Sequence, residues 1–260
     1  MSAGGNFRRL FFCPLRFPQD DDFFREKPQT FPNKFPTFAA MLSDTEENYL
    51  KALLRITAEH DGAGEAGTNQ LAGRLNVRPA TATDMLKKLR EKQLVNYEKY
   101  GKITLTNKGR NLAVAIIRRH RLWETFLFDK LGFSWDEVHD IAEQLEHIKS
   151  EKLVERLDRF LGFPQFDPHG DAIPNAKGDY VHEARLTLAE AAEGTPYAII
   201  AVRDNSPSFL QYVSQIGIGI HSEVTVSQRY EFDHSIALEI GGAKINISDK
   251  VAQNIYCKPV

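Results

Sequence analysis

Cysteine is nearly absent: Cys13 and Cys257 stand near opposite ends of the 260 residues. That excludes a disulfide framework and a cysteine-rich zinc site, and makes a reducing cytoplasm the expected home. Nor is there a run of the roughly 18 to 20 apolar residues that a membrane-spanning helix needs. Arg8, Arg9, Arg16 and the acidic run Asp20, Asp21, Asp22 interrupt the segment where an export signal would lie. Glycine-rich phosphate loops, nucleophile elbows and His-Glu-x-x-His motifs are missing as well. A net charge of -2 excludes a wholesale polycation, although the charge is unevenly spread. With 42% hydrophobic and 26% charged residues, the chain can bury at least one core, and is expected to form two or three small ones.

Residues 1–40 carry phenylalanine and proline (Phe11, Phe12, Pro14, Phe17, Pro18, Phe23, Phe24) with neither helical nor strand period, so no stable fold is expected there. Two readings stand for this extension: a mis-started reading frame with Met41 as the start, or a disordered tail. Ser43 followed by Glu46 makes a capping box that opens a first helix, carried on by Tyr49, Leu50, Leu53, Leu54 and Ile56 and stopped by the glycine-rich residues 61–64. A short helix over 69–75 with Thr68 as N-cap, the turn Asn76-Val77-Arg78, and a third helix from Pro79 to about Lys92 form a helix-turn-helix. Residues 94–98 and 103–105 alternate like strands around Tyr100-Gly101-Lys102, the wing of a winged helix.

Between Thr68 and Arg110 ten basic residues face three acidic ones. Joined to a helix-turn-helix, that surplus predicts a surface that follows phosphates. Arg78, Ala80, Thr81 and Thr83, at the N-terminal end of the third helix, are placed to reach bases and phosphates, and first-turn capping accounts for the two threonines equally well. Lys87, Lys88, Lys99 and Lys102 suit phosphate.

A long helix over about 108–131 ends at Gly132, Ser134 caps the next (135–147), and Ser150 opens another that ends at Gly162. Their broad apolar faces predict a helical layer that mediates homodimerisation. Residues 163–182 read as a linker-like loop. Strands over 197–202, 223–227, 235–240 and 244–247, with a short helix over 207–215, predict a small β-barrel. The fold class is thus mainly α with a small β domain. Its expected domains are the 1–40 extension, a winged helix over 41–107, a helical dimerisation and metal-binding domain over 108–182, and a barrel over 183–260.

On the middle helices His120 and Glu124 share a face, as do His139, Glu143, Glu146 and His147. Imidazoles and carboxylates that converge in this way are ligands for a divalent first-row ion. A single such pair is more often a solvated helix face. Two on adjacent helices, beside a DNA-binding unit, favour a metal site.

Residues 43–258 resemble the metal-dependent DtxR/MntR (diphtheria toxin repressor-like) transcriptional regulators. The resemblance rests on Thr45-Glu46-Glu47-Asn48-Tyr49-Leu50, Arg118-Arg119-His120-Arg121-Leu122-Trp123-Glu124, Val138-His139-Asp140-Ile141-Ala142-Glu143-Gln144-Leu145-Glu146-His147 and Asp167-Pro168-His169-Gly170-Asp171-Ala172-Ile173-Pro174. It implies an SH3-like, FeoA-type C-terminal barrel, a primary metal site on Asn48, Glu143, Glu146 and His147, and an ancillary site on His120, Glu124 and His139, to which Asp204 of the barrel is a weak addition. Asn48 departs from the Asp or Met of relatives, and Lys51 stands where some manganese-type members have Glu. Glu143 replaces the Cys of iron-type members, a hard oxygen that favours Mn²⁺, whereas His139 completes a set typical of those members, which keeps Fe²⁺ as the alternative.

The expectation is therefore a cytoplasmic repressor of metal-uptake genes, with a double-stranded palindromic operator as its target and no membrane or organic-cofactor partner. Two rivals stand beside it. One is a di-metal enzyme built on the helical carboxylates, disfavoured because such centres draw ligands from four core helices. The other is a winged-helix regulator that senses a small organic ligand.

Overall fold

The structure, a computed structural model, describes residues 42–59, 66–97, 102–181 and 183–260. The N-terminal extension, the helix stop at 61–64 and the wing tip with Lys99 lie outside them. Helix α1 (Asp44–Glu59) opens as its sequence predicts: Ser43 N donates to Glu46 Oε2 at 2.9 Å and Glu46 N to Ser43 Oγ at 3.3 Å. Helix α2 (Thr68–Arg74) begins one residue earlier than expected. Its N-cap is Gly67, and Thr68 is its first helical residue. The turn to α3 (Pro79–Glu91) passes through Asn76 in the left-handed region (φ 51°), a conformation asparagine tolerates well, and Pro79 fills the first-turn position where its missing N–H costs nothing.

Strands β1 (Val95–Tyr97) and β2 (Ile103–Leu105) pair antiparallel, and Ala66 adds a bridge to Ile103. Helix α4 (Asn107–Leu131) is capped by the Thr106 hydroxyl, which accepts from Gly109 N at 3.0 Å. Gly109 lies so close to the wing that a Cβ would stand 2.0 Å from Leu94 O. The first half of α4 (Leu112, Ala113, Ile116, Ile117) shares one core with α1, α2 and α3, including Leu50, Leu53, Leu71, Leu86 and Leu89. Its second half belongs to the helical layer with α5 (Val138–Leu145) and α6 (Glu151–Phe160), around Leu122 and Leu157 and around Leu127 and Val138. One continuous helix therefore carries both part of the DNA-binding core and the pair His120 and Glu124.

Helix α5 is shorter at both ends than its sequence predicts: residues 135–137 form a turn, in which Glu137 Oε2 accepts from Ser134 N (2.9 Å) and from Ser134 Oγ (2.7 Å), so the hydroxyl donates to Glu137 instead of capping, and the helix ends at Leu145. Residues 163–181 form no helix or strand, yet they are held firmly. Arg118 donates to Pro174 O (3.0 Å) and Asp158 (2.7 Å), and Arg121 to Ala172 O (2.5 Å) and Asp171 (2.9 Å). Gly170 (φ +82°) sits where a Cβ would be 2.0 Å from Ile200 O, and Val202 N donates to His169 O at 2.9 Å, so the loop lies against the C-terminal sheet.

That sheet is antiparallel, in the order β3-β8-β4-β5-β6-β7. It comprises β3 (Leu186–Thr187), β4 (Pro196–Val202), β5 (Glu223–Arg229), β6 (Ile236–Ile240), β7 (Ala243–Ile247) and β8 (Ile255–Pro259). Helices α7 (Pro207–Gln215) and α8 (Asp249–Ala252) complete it. Its core (Ile199, Val224, Val226, Leu238, Ile255, Cys257) also takes in Trp135 of the helical layer, whose Nε1 donates to Ser214 Oγ at 2.7 Å.

Candidate metal centre and DNA-binding face

The centre lies where α4, α5 and the inner face of α1 meet. Arg119 on α4 donates from Nε to Glu146 O at 2.6 Å and from Nη2 to Glu47 on α1 at 3.3 Å, fastening the end of α5 to both neighbours. Beside Arg119, His120 Nε2 and Glu124 Oε1 of α4 form with His139 Nδ1 of α5 a near-equilateral triangle: 3.0 Å from His120 to Glu124, and 3.2 Å from His139 to each of the others. Atoms bonded to one first-row ion at about 2.1 Å stand about 3 Å apart. The three therefore fit adjacent ligand positions of such an ion. Glu143 Oε1 follows at 3.5 Å from His139 Nε2, and His120, His139 and Glu143 present their donors within 4.8 Å of one another.

His120 and Glu124 are buried, and Glu146 is completely so. Burial opposes charge on His120, but Glu124 and Glu146 outweigh it and raise the imidazole pKa. Burial likewise opposes charge on Glu124, while His120, His139 and His169 hold its carboxyl well below the usual range. Glu146 is lowered, against its burial, by His120 and Lys51. His120 Nδ1 approaches Glu146 Oε2 to 2.6 Å without hydrogen-bond alignment. The cluster is an anionic pocket that attracts positive charge.

The remaining residues implied by the resemblance are placed differently. His147 Nδ1 lies 2.8 Å from Glu47 Oε2, while its Nε2 stands 4.0 Å from Glu146 Oε1. A carboxylate on one ring nitrogen is how metal-binding histidines are commonly oriented. Asn48 Oδ1 is buried without a partner, an oxygen that a cation would satisfy. Glu143 and Glu146 are both held by the Lys51 ammonium, at 2.5 Å and at 2.7 and 2.9 Å. Asp204 accepts from Ser206 N (2.9 Å) at the approach to α7 and joins neither of the ligand groups found among the described residues.

Two residues that touch the centre were not expected as site residues. Lys51 is one. The other is His169, whose Nε2 donates to Trp135 O at 2.8 Å and whose Nδ1 faces Glu124 Oε2 at 3.8 Å and Asp167 Oδ1 at 3.9 Å. Burial works against its charge, but Glu124 and Asp167 push its pKa up to about 9. Glu124, Asp167 and His169 form a second convergent group. The dense run Asp167-Pro168-His169-Gly170-Asp171 was the available signal.

On the DNA-binding unit, Arg78, Ala80, Thr81, Lys87, Lys88 and Lys102 are exposed and Thr83 is half-buried. Lys87 pairs with Asp84 at 2.9 Å on the solvent face, where the pair is weak. Lys92, by contrast, faces inward and binds Glu46 of α1 at 2.6 and 2.8 Å, tying the end of α3 to the start of α1. Among the described residues no helix is long and apolar enough to cross a membrane.

A winged helix fused through α4 to an imidazole and carboxylate centre defines a metal-dependent DNA-binding regulator. Residues 41–103 match the N-terminal DNA binding domain of the iron dependent repressors, residues 106–175 their metal binding and dimerisation domain, and residues 186–259 the FeoA domain. The chain belongs to this family, the diphtheria toxin repressor-like metal-dependent transcriptional repressors, which are regulators and not enzymes. The iron-dependent repressor IdeR of Mycobacterium tuberculosis is 32% identical over 168 residues, 61% of this chain and 71% of that protein. The diphtheria toxin repressor of Corynebacterium diphtheriae is 28% identical over 225 residues, 82% of this chain and 96% of its own. A solved manganese-dependent transcriptional repressor in complex with manganese superposes with a TM-score of 0.71 at 39% identity, over 83% of this chain and all of that one.

Proposed function

We propose that this chain is a manganese-responsive repressor of metal-uptake genes, acting in the cytoplasm as a homodimer on a palindromic operator, with Fe²⁺ as the alternative ion. The observation that carries the reading is the convergence of His120 Nε2, Glu124 Oε1 and His139 Nδ1 within 3.2 Å of one another, with Glu143 beside the other nitrogen of His139. Bound there, a divalent ion supplies a crosslink between α4 and α5 that neutralises the buried carboxylates. The nitrogen and oxygen donor set, with no sulfur in it, favours a hard ion such as Mn²⁺ over softer competitors. The manganese bound by the solved relative supports the same choice, and the iron-dependent relatives support the alternative.

Transmission to DNA runs through α1. It contacts the centre through Lys51 and Glu47 and shares the core that holds α3, so order among the ligands fixes the recognition helix relative to α4. A second copy suits the exposed apolar residues Phe128, Leu131, Phe160 and Phe163 at the ends of α4 and α6. Two-fold pairing through that surface sets two α3 helices toward successive major grooves, and metal favours the competent spacing.

The test is fluorescence anisotropy of the full chain on DNA from upstream of its own gene, at fixed salt, in chelator, in Mn²⁺ and in anaerobic Fe²⁺. Binding is expected only with metal and is lost in His139→Ala, the more effective ion being the one that acts at lower concentration. Equal binding in chelator and in the variant contradicts the reading.

A further inference from the structure

We infer that Lys51 is a built-in cation that fills the position between Glu143 and Glu146, so that each protomer binds a single divalent ion, at His120, Glu124 and His139. The inference rests on the metal-responsive reading and specifies its stoichiometry.

The geometry around Lys51 carries it. Its side chain is 6% exposed, although lysine is almost never buried unless paired. An ammonium has three hydrogens to donate, and three carboxylate oxygens accept them: Glu143 Oε1 at 2.5 Å, Glu146 Oε1 at 2.7 Å and Glu146 Oε2 at 2.9 Å. Those oxygens belong to the pair that the family resemblance assigns to a primary ion. A metal ion bonded to the same oxygens at about 2.1 Å would have to stand almost where the ammonium nitrogen is. Two cations cannot share that position.

Charge gives the same count. Glu124, Glu143 and Glu146 bring three negative charges into the cluster and Lys51 returns one. The two that remain are balanced by one divalent ion, since His169 and Arg121 beside Glu124 are matched by Asp167 and Asp171. A second ion would leave a buried excess of positive charge beside Arg119, whose guanidinium already holds Glu47 and Glu146 O. The one carboxylate that α1 brings here, Glu47, is already engaged by Arg119 and His147, and the residue one turn before Lys51 is the neutral Asn48.

The arrangement changes the wiring of the response. In this chain α1 is already linked to α5 without metal, through Lys51. Glu143 Oε1 is the shared atom, 2.5 Å from Lys51 Nζ and 3.5 Å from His139 Nε2. An ion on His139 Nδ1 therefore acts on α1 through the imidazole, whose Nε2 faces the carboxylate that Lys51 also holds. Lys51 is the positioning residue of that relay.

The test counts Mn²⁺ on the full chain by elemental analysis after equilibrium dialysis, with electron paramagnetic resonance of the bound ion, for wild type, His139→Ala, Lys51→Glu and Lys51→Ala. Expected are one ion per wild-type protomer with an uncoupled six-line spectrum, none in His139→Ala, and two with a spin-coupled spectrum in Lys51→Glu. Lys51→Ala, which also clears the position, serves if Lys51→Glu does not fold, and two ions are expected there too. Two ions on the wild type overturn the inference. So does one ion retained in His139→Ala, which would place it between Glu143 and Glu146, or a single ion in both Lys51 variants. If neither Lys51 variant folds, the wild-type and His139→Ala counts decide. No ion on the wild type refutes instead the metal-responsive reading on which the inference rests.

Discussion

Replacing Lys51 with methionine keeps the length of the side chain and removes its charge. In chelator the substitution leaves Glu146, completely buried, facing only imidazoles, His120 at 2.6 Å and His147 at 4.0 Å. Stripping one partner from a buried ion pair costs about 3–5 kcal/mol, and the remaining imidazoles put Glu146 at the lower end, about 3 kcal/mol. Glu143, about one-third exposed, is partly solvated and adds less than about 1 kcal/mol. For a domain of this size each kcal/mol shifts the melting temperature by about 2–4 °C, so a fall of about 6–12 °C is expected. Circular dichroism at 222 nm during a thermal ramp in chelator reads it. Adding Glu146→Leu to Lys51→Met removes the stranded charge and is expected to recover most of the loss. A single variant that melts within about 2 °C of wild type would refute the claim that Lys51 balances buried charge.

Three further outcomes follow from the same structure. Lys87→Glu with Lys88→Glu is expected to weaken binding to all DNA sequences alike and to lower the slope of log affinity against log salt by about 2, measured by anisotropy at several salt concentrations; an unchanged slope would place the phosphate contacts elsewhere. Gly170→Ala puts a methyl 2.0 Å from Ile200 O at a φ of +82°, and a loss of more than about 2 kcal/mol in urea unfolding is expected; wild-type stability would mean the loop does not depend on that close approach. Burial opposes charge on Glu46, but the Lys92 ammonium and the Ser43 bonds lower its pKa below 4.5. Its contribution is thus fully present above pH 4.5 and is lost as the pH falls through the lower folded value. Melting curves of wild type and Glu46→Gln should differ at pH 7 and converge toward pH 3, and a constant difference would contradict the assignment.

Legibility in the sequence followed the range of the interactions. The Ser43/Glu46 box, the Asn76 turn and Pro79 act within a few residues, and these helix starts and the turn could be read locally. Strands β3 and β8 could not. Leu186–Thr187 has only two residues, and Ile255–Pro259 becomes a strand by pairing with β4 and β3 across more than fifty residues of chain. Helix α5 was set too early because the Ser134 hydroxyl serves Glu137 in a turn instead of capping a helix. In the centre, helical spacing was enough to group His120 with Glu124 and His139 with Glu143, and α4 and α5 bring the two pairs together. Spacing says nothing about what lies opposite. Lys51 was visible only as a departure from the family pattern, because its partners are 92 and 95 residues away. His169 reaches Glu124 only because Arg121 and Gly170 hold its loop against both α4 and the sheet.

The central claim is that the centre and the DNA-binding face are one coupled system. It is tested most directly by titrating the full chain with Mn²⁺ in the presence and absence of its operator, at fixed salt and pH, and comparing the shift in metal affinity with the shift in operator affinity that Mn²⁺ produces. Thermodynamic linkage requires the two factors to be equal, and typical couplings are about 5- to 150-fold. The account predicts equal factors well above one in the wild type and a factor near one in His139→Ala. Metal affinity that operator DNA leaves unchanged in the wild type would contradict it.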